Sequence, residues 1–177
     1  MAMTCNVICS SRTGNTALLA ETVWETAREL GWECAGPEKP REGGREDVDL
    51  IFAGFWTDKG DCSEEMASFL EGLEGKCVFL FGTAGFGGSQ EYYERVLGRV
   101  KAHLAPSNRL AGTFMCQGKM PEAVGARFEA GLRQEPENEA LKARLENFRR
   151  AMAHPNRRDL EALREAVKQA LSAVSRS

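Results

Sequence analysis

The sequence lacks several motifs, each of which would indicate a particular kind of catalytic or binding site. None of its six cysteines forms a Cys-x-x-Cys pair, which argues against a zinc site and a dithiol redox motif. It has two histidines and no Gly-x-Ser-x-Gly sequence, so hydrolytic catalysis has little support. Neither the triphosphate-binding loop with its Gly-Lys-Ser/Thr ending nor the dinucleotide fingerprint Gly-x-Gly-x-x-Gly occurs. We therefore predict no metal centre and no catalytic residue supplied by the protein itself.

Long apolar runs and a strong charge of one sign are also missing. No apolar run approaches the roughly 18 residues of a membrane span. We also find no basic segment followed by an apolar run, which is the pattern of a secretory signal. The net charge is -3: residues 1–118 carry 11 basic and 17 acidic residues, and residues 119–177 carry 12 and 9. Neither part has the basic stripe of a nucleic-acid-binding protein. Most cysteines lie in apolar runs, which predicts reduced thiols and a cytoplasmic location.

The 177 residues, 42% of them hydrophobic, are enough for one α/β domain with a core. Strand-like runs alternate with helix-like stripes, which predicts a parallel sheet with right-handed crossovers. The runs lie near 4–9, 33–35, 49–54, 76–82 and 109–116, and residues 36–47 read as a surface loop. Apolar stripes beyond Pro121 predict two or three helices, broken near Pro136 and Pro155. We predict one domain over 1–177, with 119–177 as its helical C-terminal part.

The most informative segment is the turn between the first strand and the first helix, with the sequence Ser11-Arg12-Thr13-Gly14-Asn15-Thr16. Hydroxyls, an amide and free backbone N–H groups meet there at a helix N-terminus, where the peptide dipoles favour an anion. The turn contains no lysine. It therefore suits one terminal phosphate monoester held by neutral donors, with an ordinary polar helix cap as the alternative.

This segment resembles the phosphate signature of flavodoxins, Ser/Thr-x-Thr-Gly-x-Thr. The resemblance extends in order over residues 4–16, 49–62 and 76–89. It implies a flavodoxin-like doubly wound sheet of five parallel strands in the order 2-1-3-4-5, followed here by a helical C-terminal extension. It also implies that FMN is bound where the strand order reverses.

The resemblance implies roles for two further loops. Trp56 after the third strand would stack on the flavin, and Gly60 would be the glycine whose peptide changes orientation on reduction. Lys59 would either raise the flavin potential or point into solvent. After the fourth strand, glycines would let the backbone approach the flavin, with Phe86 as a second aromatic wall. The predicted cofactor-binding residues are Ser11, Arg12, Thr13, Gly14, Asn15, Thr16, Trp56, Thr57, Lys59, Gly60, Thr83, Ala84, Gly85, Phe86 and Gly87.

The resemblance leaves three functions open. The first is an electron carrier between redox partner proteins, a reductase and an acceptor enzyme, with an acidic rim formed by Asp58, Asp61, Glu64 and Glu65. Those acidic residues are equally typical of a helix start. The second is an NAD(P)H-dependent FMN or quinone reductase, and the third is an accessory subunit for a neighbouring reductase. A homodimer is possible through the C-terminal helices, and neither nucleic acid nor membrane is expected as a partner.

Overall fold

The apolar runs of the sequence pair side by side in the computed structural model, which describes residues 2–41 and 47–177. The strands form one parallel sheet in the order β2-β1-β3-β4-β5, as the sequence predicts. Because β2 and β3 lie on opposite sides of β1, the chain reverses direction across the sheet there. The strands are β1 (Thr4–Cys9), β2 (Glu33–Glu38), β3 (Leu50–Trp56), β4 (Cys77–Ala84) and β5 (Arg109–Gln117).

A residue just before a helix can accept hydrogen bonds from the first-turn amides, which have no partner inside the helix, and such residues mark helix starts in this chain. Ser63 accepts from the Met66 amide and Ser89 from the Tyr92 amide, as N-cap side chains do. Within the described ranges no helix combines the length and apolarity needed to cross a bilayer. The helices are α1 (Asn15–Glu29), α2 (Glu64–Glu71), α3 (Gln90–Lys101), α4 (Glu122–Gln134), α5 (Glu139–Ala151) and α6 (Arg157–Ser175).

The core forms two clusters, one on each face of the sheet. Side chains of α1 and α6 pack on one face with Phe52 and Phe81, and those of α2 and α3 pack on the other with Phe55. Both faces are covered, which explains why β3 and β4 are almost continuously apolar.

Two glycines make room for two of these phenylalanines. Gly54 lies opposite Phe81 in the β3–β4 pairing, and Gly82 lies opposite Phe55. A Cβ added at either glycine would contact the opposite ring. The two aromatic rings thus lie over the backbone of the neighbouring strand, one on each face of the sheet.

Strand β2 is longer than the sequence predicts. The expected strand over 33–35 continues to Glu38, so residues 36–38 do not belong to the predicted loop. This is an edge strand, and an edge can accommodate the Gly36-Pro37 pair because only one side of it needs ladder hydrogen bonds. Asn6 Nδ2 donates to Glu38 Oε1 at 2.9 Å, which ties the end of the strand to β1. Residues 42–46 of the predicted loop lie outside the described residues.

The C-terminal part is helical, as predicted, and its helices occupy two places. Helix α6 packs against β5 and α1, and Arg164 bonds to Glu25 and Glu29 across the helix pair. Helices α4 and α5 pack against each other, and neither core cluster includes a described residue of this hairpin.

The ring-over-glycine packing generates a prediction about stability. We expect Gly54→Ala or Gly82→Ala to lower the free energy of unfolding by about 1–3 kcal/mol, because a new methyl group must displace a buried ring. Urea denaturation measures this change.

Gly98→Ala in α3 is the control, because its Cβ meets nothing within 4 Å. We expect it to raise stability by about 0.5–1 kcal/mol through helix propensity. Equal effects at all three glycines would contradict the packing argument.

Candidate functional site

The turn before α1 presents free backbone donors. Gly14 occupies the N-cap position with a φ of 92°, a conformation that favours glycine, and no side chain caps the helix. The Ala17 amide donates to Ser11 Oγ at 3.2 Å. Within the described residues, the backbone amides of Gly14, Asn15 and Thr16 have no acceptor. These donors at the positive end of a helix suit an anion.

The hydroxyl of Thr16 is used inside the protein. It is fully buried, donates to the Phe55 carbonyl at 3.2 Å and lies 3.0 Å from Thr83 Oγ1. This contact joins the start of α1 to the carboxyl ends of β3 and β4. Thr16 was predicted to offer its hydroxyl to a phosphate, but in the structure that hydroxyl is buried and bonds inside the protein.

Asn15 also bonds within the protein through its side chain. Its Nδ2 donates to Thr13 Oγ1 at 3.2 Å and to the Lys119 carbonyl at 2.8 Å. Thr13 accepts in this contact, so its own hydroxyl proton remains available for a ligand. Asn15 therefore fixes the turn against the segment after β5 and leaves Thr13 exposed as a donor.

Two adjoining cavities form a groove along the carboxyl ends of the strands, next to this turn. Their volumes are about 270 and 370 Å³. They lie side by side along this edge and share five lining residues: Arg12, Trp56, Thr57, Gly85 and Phe86. Of the other predicted residues, the groove is also lined by Thr13, Asn15, Lys59, Gly60, Thr83 and Ala84. The structure thus brings together most of the predicted set.

Four predicted residues lie outside the lining of that groove. Ser11 and Gly14 line a separate cavity of about 530 Å³, which is bounded by α1, the end of β2 and the start of α2. Thr16 is buried beneath the turn, and Gly87 packs against the Tyr92 ring. The larger cavity was not foreseen from the sequence, because its walls come from segments that no motif connects.

Aromatic groups form the walls of the groove. Phe86 is 48% exposed, which is unusual for a phenylalanine in this chain, and Trp56 is half-buried. The Arg12 guanidinium lies over the Trp56 ring, 5.4 Å from its centroid, in a cation–π contact. An arginine from the anion-binding turn therefore covers one face of the tryptophan.

A tight turn over residues 58–61 closes one end of the groove. Asp58 and Asp61 exchange backbone hydrogen bonds of 2.7 and 3.0 Å, and the two residues between them have positive φ angles, 50° at Lys59 and 82° at Gly60. This is the geometry of a type I′ turn. Arg99 Nη1 donates to the Gly60 carbonyl at 3.3 Å, which anchors the turn to α3.

A charged cluster lies behind this turn. His103 Nε2 is 3.1 Å from Asp61 Oδ2, and its Nδ1 is 3.1 Å from Glu71 Oε1. Partial burial opposes the charged imidazolium, but the two carboxylates outweigh it and raise the pKa of His103. Partial burial likewise opposes the Asp61 carboxylate, yet hydrogen bonds from His103 and the Cys62 amide hold its pKa below the usual value.

The segment after β5 and Val124 of α4 complete the groove, and α5 bonds to the backbone beside it. Met120 lies beside Gly85, where an added Cβ would be 2.6 Å from its Cγ. Gln117 and Asn147 both donate to the Gly85 carbonyl, at 3.4 and 3.0 Å, and Gln117 also bonds to Asn147 at 3.2 Å. No motif pointed to Asn147, because its contact depends on how the helical hairpin docks.

Comparisons with known proteins agree with this architecture. A family model described as a flavodoxin domain matches residues 6–168. A flavodoxin-like domain-containing protein, BilS of Clostridium symbiosum, is 37% identical over 88% of this chain and 90% of its own length. The BilS protein of Clostridioides difficile is 30% identical over 87% of this chain and 88% of its own length.

Solved structures share the fold at low sequence identity. A flavodoxin of Streptococcus pneumoniae TIGR4 superposes with a TM-score of 0.60 at 14% identity, covering 96% of this chain and 99% of its own. Rubredoxin oxygen:oxidoreductase of Desulfovibrio gigas superposes with a TM-score of 0.59 at 14% identity. It covers 97% of this chain, which corresponds to 36% of that longer chain.

The turn at the end of the groove generates a prediction. We expect Gly60→Ala to lower the free energy of unfolding by about 2 kcal/mol, because it combines an unfavourable positive φ with a contact against the Arg99 guanidinium. In an Arg99→Ala background the contact is absent. The same substitution should then cost only about 1 kcal/mol of conformational strain.

Urea denaturation of the wild type, both single variants and the double variant measures this difference as a double-mutant cycle. An identical cost in both backgrounds would show that Arg99 does not pack on Gly60.

Proposed function

The chain belongs to the flavodoxin family, and we propose that it is an FMN-binding electron carrier between a reductase and an acceptor enzyme. The observation that carries the proposal is the junction of an uncapped helix N-terminus with a groove walled by Trp56 and Phe86. An anion site and an aromatic slot at one sheet edge match the two ends of a flavin mononucleotide.

The donors in the turn fit the phosphate end of FMN. The amides of Gly14 and Asn15 would hold the phosphate, since neither residue is buried and their amides have no acceptor among the described residues. The exposed hydroxyl of Thr13 would add a side-chain donor, and Asn15 would keep the turn in place through its bond to the Lys119 carbonyl. A doubly charged phosphate is favoured further by the dipole of α1.

The groove fits the ring end. Trp56 and Phe86 offer planar apolar walls that exclude water from one redox-active ring. The amides of Phe86 and Gly87 have no acceptor among the described residues and would serve the polar edge of that ring. Bound FMN would supply the electron transfer, and the chain would supply binding, orientation and electrostatics. A ring stacked on the covered face of Trp56 requires the Arg12 guanidinium to move aside.

The acidic residues near the groove support a basic partner. Asp58 and Glu64 are exposed, at the groove and in the first turn of α2. Glu65 accepts from Ser10 Oγ at 3.3 Å, and Asp61 is bonded to His103, so these two are committed to internal contacts. Exposed acidic groups beside a redox groove would steer a basic protein surface toward it.

The phosphate assignment is tested by comparing FMN with riboflavin, which lacks the phosphate. We expect Thr13→Ala to weaken FMN binding about tenfold, the effect of losing one hydrogen bond to a charged group. Riboflavin affinity should not change. Fluorescence titration of the full chain measures both affinities.

Thr113→Ala is the matched control, since Thr113 is an exposed threonine in the middle of β5. If Thr13→Ala weakened both flavins equally, or neither, the turn would not be the phosphate site.

The carrier function is tested with chemically reduced, FMN-loaded protein and a basic cytochrome c as acceptor. We expect fast transfer that slows as salt is added, and slower transfer at low salt for the double variant Asp58→Asn, Glu64→Gln. The double variant Glu33→Gln, Glu74→Gln removes the same charge near the amino ends of β2 and β4 and should leave the rate unchanged. Rapid reduction of the flavin by NADPH without a reductase would contradict the carrier function and favour a self-sufficient reductase.

A further inference from the structure

Three side chains with different ligand chemistry meet behind the 58–61 turn. Asp61 and Cys62 follow β3, and His103 follows α3, 42 residues after Asp61. One carboxylate oxygen, the Cys62 Sγ and one ring nitrogen all lie within 4.8 Å of one another. The sequence predicts no metal centre, because these residues have no motif spacing, but the fold brings them together.

The nitrogen–oxygen distance in this cluster is close to that between two ligands of a tetrahedral metal site. With metal–nitrogen and metal–oxygen bonds of about 2.0–2.2 Å, neighbouring ligand atoms lie about 3.3–3.6 Å apart. His103 Nε2 lies 3.1 and 3.2 Å from the two Asp61 oxygens. An ion placed between them therefore needs side-chain shifts of only a few tenths of an ångström on this edge.

The second nitrogen of His103 already has the partner that a metal-bound histidine requires. Its Nδ1 is 3.1 Å from Glu71 Oε1. In metal sites the ring nitrogen that does not bind the ion donates to a carboxylate or carbonyl, which fixes the tautomer and the ring orientation. With the proton on Nδ1, the lone pair of Nε2 faces Asp61, and a cation between them would satisfy both groups.

The donor set and its exposure indicate the kind of ion. A thiolate, an imidazole and a carboxylate suit zinc and its neighbours among the divalent transition metals, whereas magnesium and calcium prefer oxygen ligands alone. Cys62 is 7% exposed, and the side chains of His103 and Asp61 are 23% and 36% exposed. An ion can thus enter past Asp61 and keep one position open to water.

We propose that Asp61, Cys62 and His103 bind one divalent transition-metal ion, best matched by Zn²⁺, with Glu71 orienting His103. Binding releases the thiol proton of Cys62 to solvent, together with the Nε2 proton of His103 when the imidazole is charged, and forms the metal–sulfur and metal–nitrogen bonds without any change of oxidation state. The ion would link the turn after β3 to the end of α3. None of these three ligands is assigned to FMN, so the proposal stands apart from the carrier function.

Cobalt(II) is the probe for this site, because its visible bands report ligand number and lie partly beyond the absorption of flavins. Full-length protein is treated with a chelator and titrated with Co²⁺, followed by competition with Zn²⁺. We expect one equivalent of Co²⁺, red-region bands of tetrahedral intensity, a near-ultraviolet thiolate band in flavin-free protein, and complete displacement by Zn²⁺. A titration without these bands would overturn the proposal and leave the cluster as a hydrogen-bonded contact alone.

Variants locate the ion. Cys62→Ser should abolish the thiolate band, and Glu71→Gln should weaken binding about tenfold, because a neutral amide oxygen accepts the Nδ1 proton more weakly than a carboxylate does. Glu71 is an exposed helix residue, so its variant remains informative if Cys62→Ser fails to fold. Cys34→Ser is the matched control, a half-buried thiol on β2, and should leave binding unchanged. A thiolate band lost in Cys34→Ser, or Glu71→Gln binding as tightly as the wild type, would refute the assignment.

Discussion

The groove depends on one buried contact, in which the Thr16 hydroxyl binds the end of β3 and touches Thr83 at the end of β4. This contact sets the N-terminus of α1 directly above the sheet edge. Thr13 and Asn15 of the turn consequently border the same space as the aromatic walls of Trp56 and Phe86. Without this contact, the chain would still contain the turn of residues 11–16 and the aromatic side chains, but nothing would fix the distance between them.

The sheet beneath the groove is rigid for a related reason. Phe81 and Phe55 lie over Gly54 and Gly82, on opposite faces of the same two strands. Close packing without voids resists small displacements, so the ends of β3 and β4 keep their relative positions. The adaptable parts of the site are then the exposed side chains at its rim, namely Arg12 and Phe86.

The fold could be predicted from the sequence because buried parallel strands and helix stripes have different periodicities, and the bounds of β1 agree with the prediction. The turn of residues 11–16 was found because its residues are adjacent in the chain. Other features depend on tertiary contacts between distant residues. No local sequence pattern predicts the contact of Asp61 with His103 or that of Asn147 with Gly85. Thr16 is the opposite case, because it belongs to the recognised motif but its hydroxyl bonds to other parts of the fold.

The docking of the α4–α5 hairpin has a consequence for how such proteins diverge. The hairpin lies outside both core clusters and meets the groove through Val124 of α4 and the bond of Asn147 of α5 to the Gly85 carbonyl. Its outer surface can therefore accumulate substitutions without disturbing the sheet. Exchange of the hairpin would thus change the surface beside the groove while the sheet and the turn beneath it stay the same.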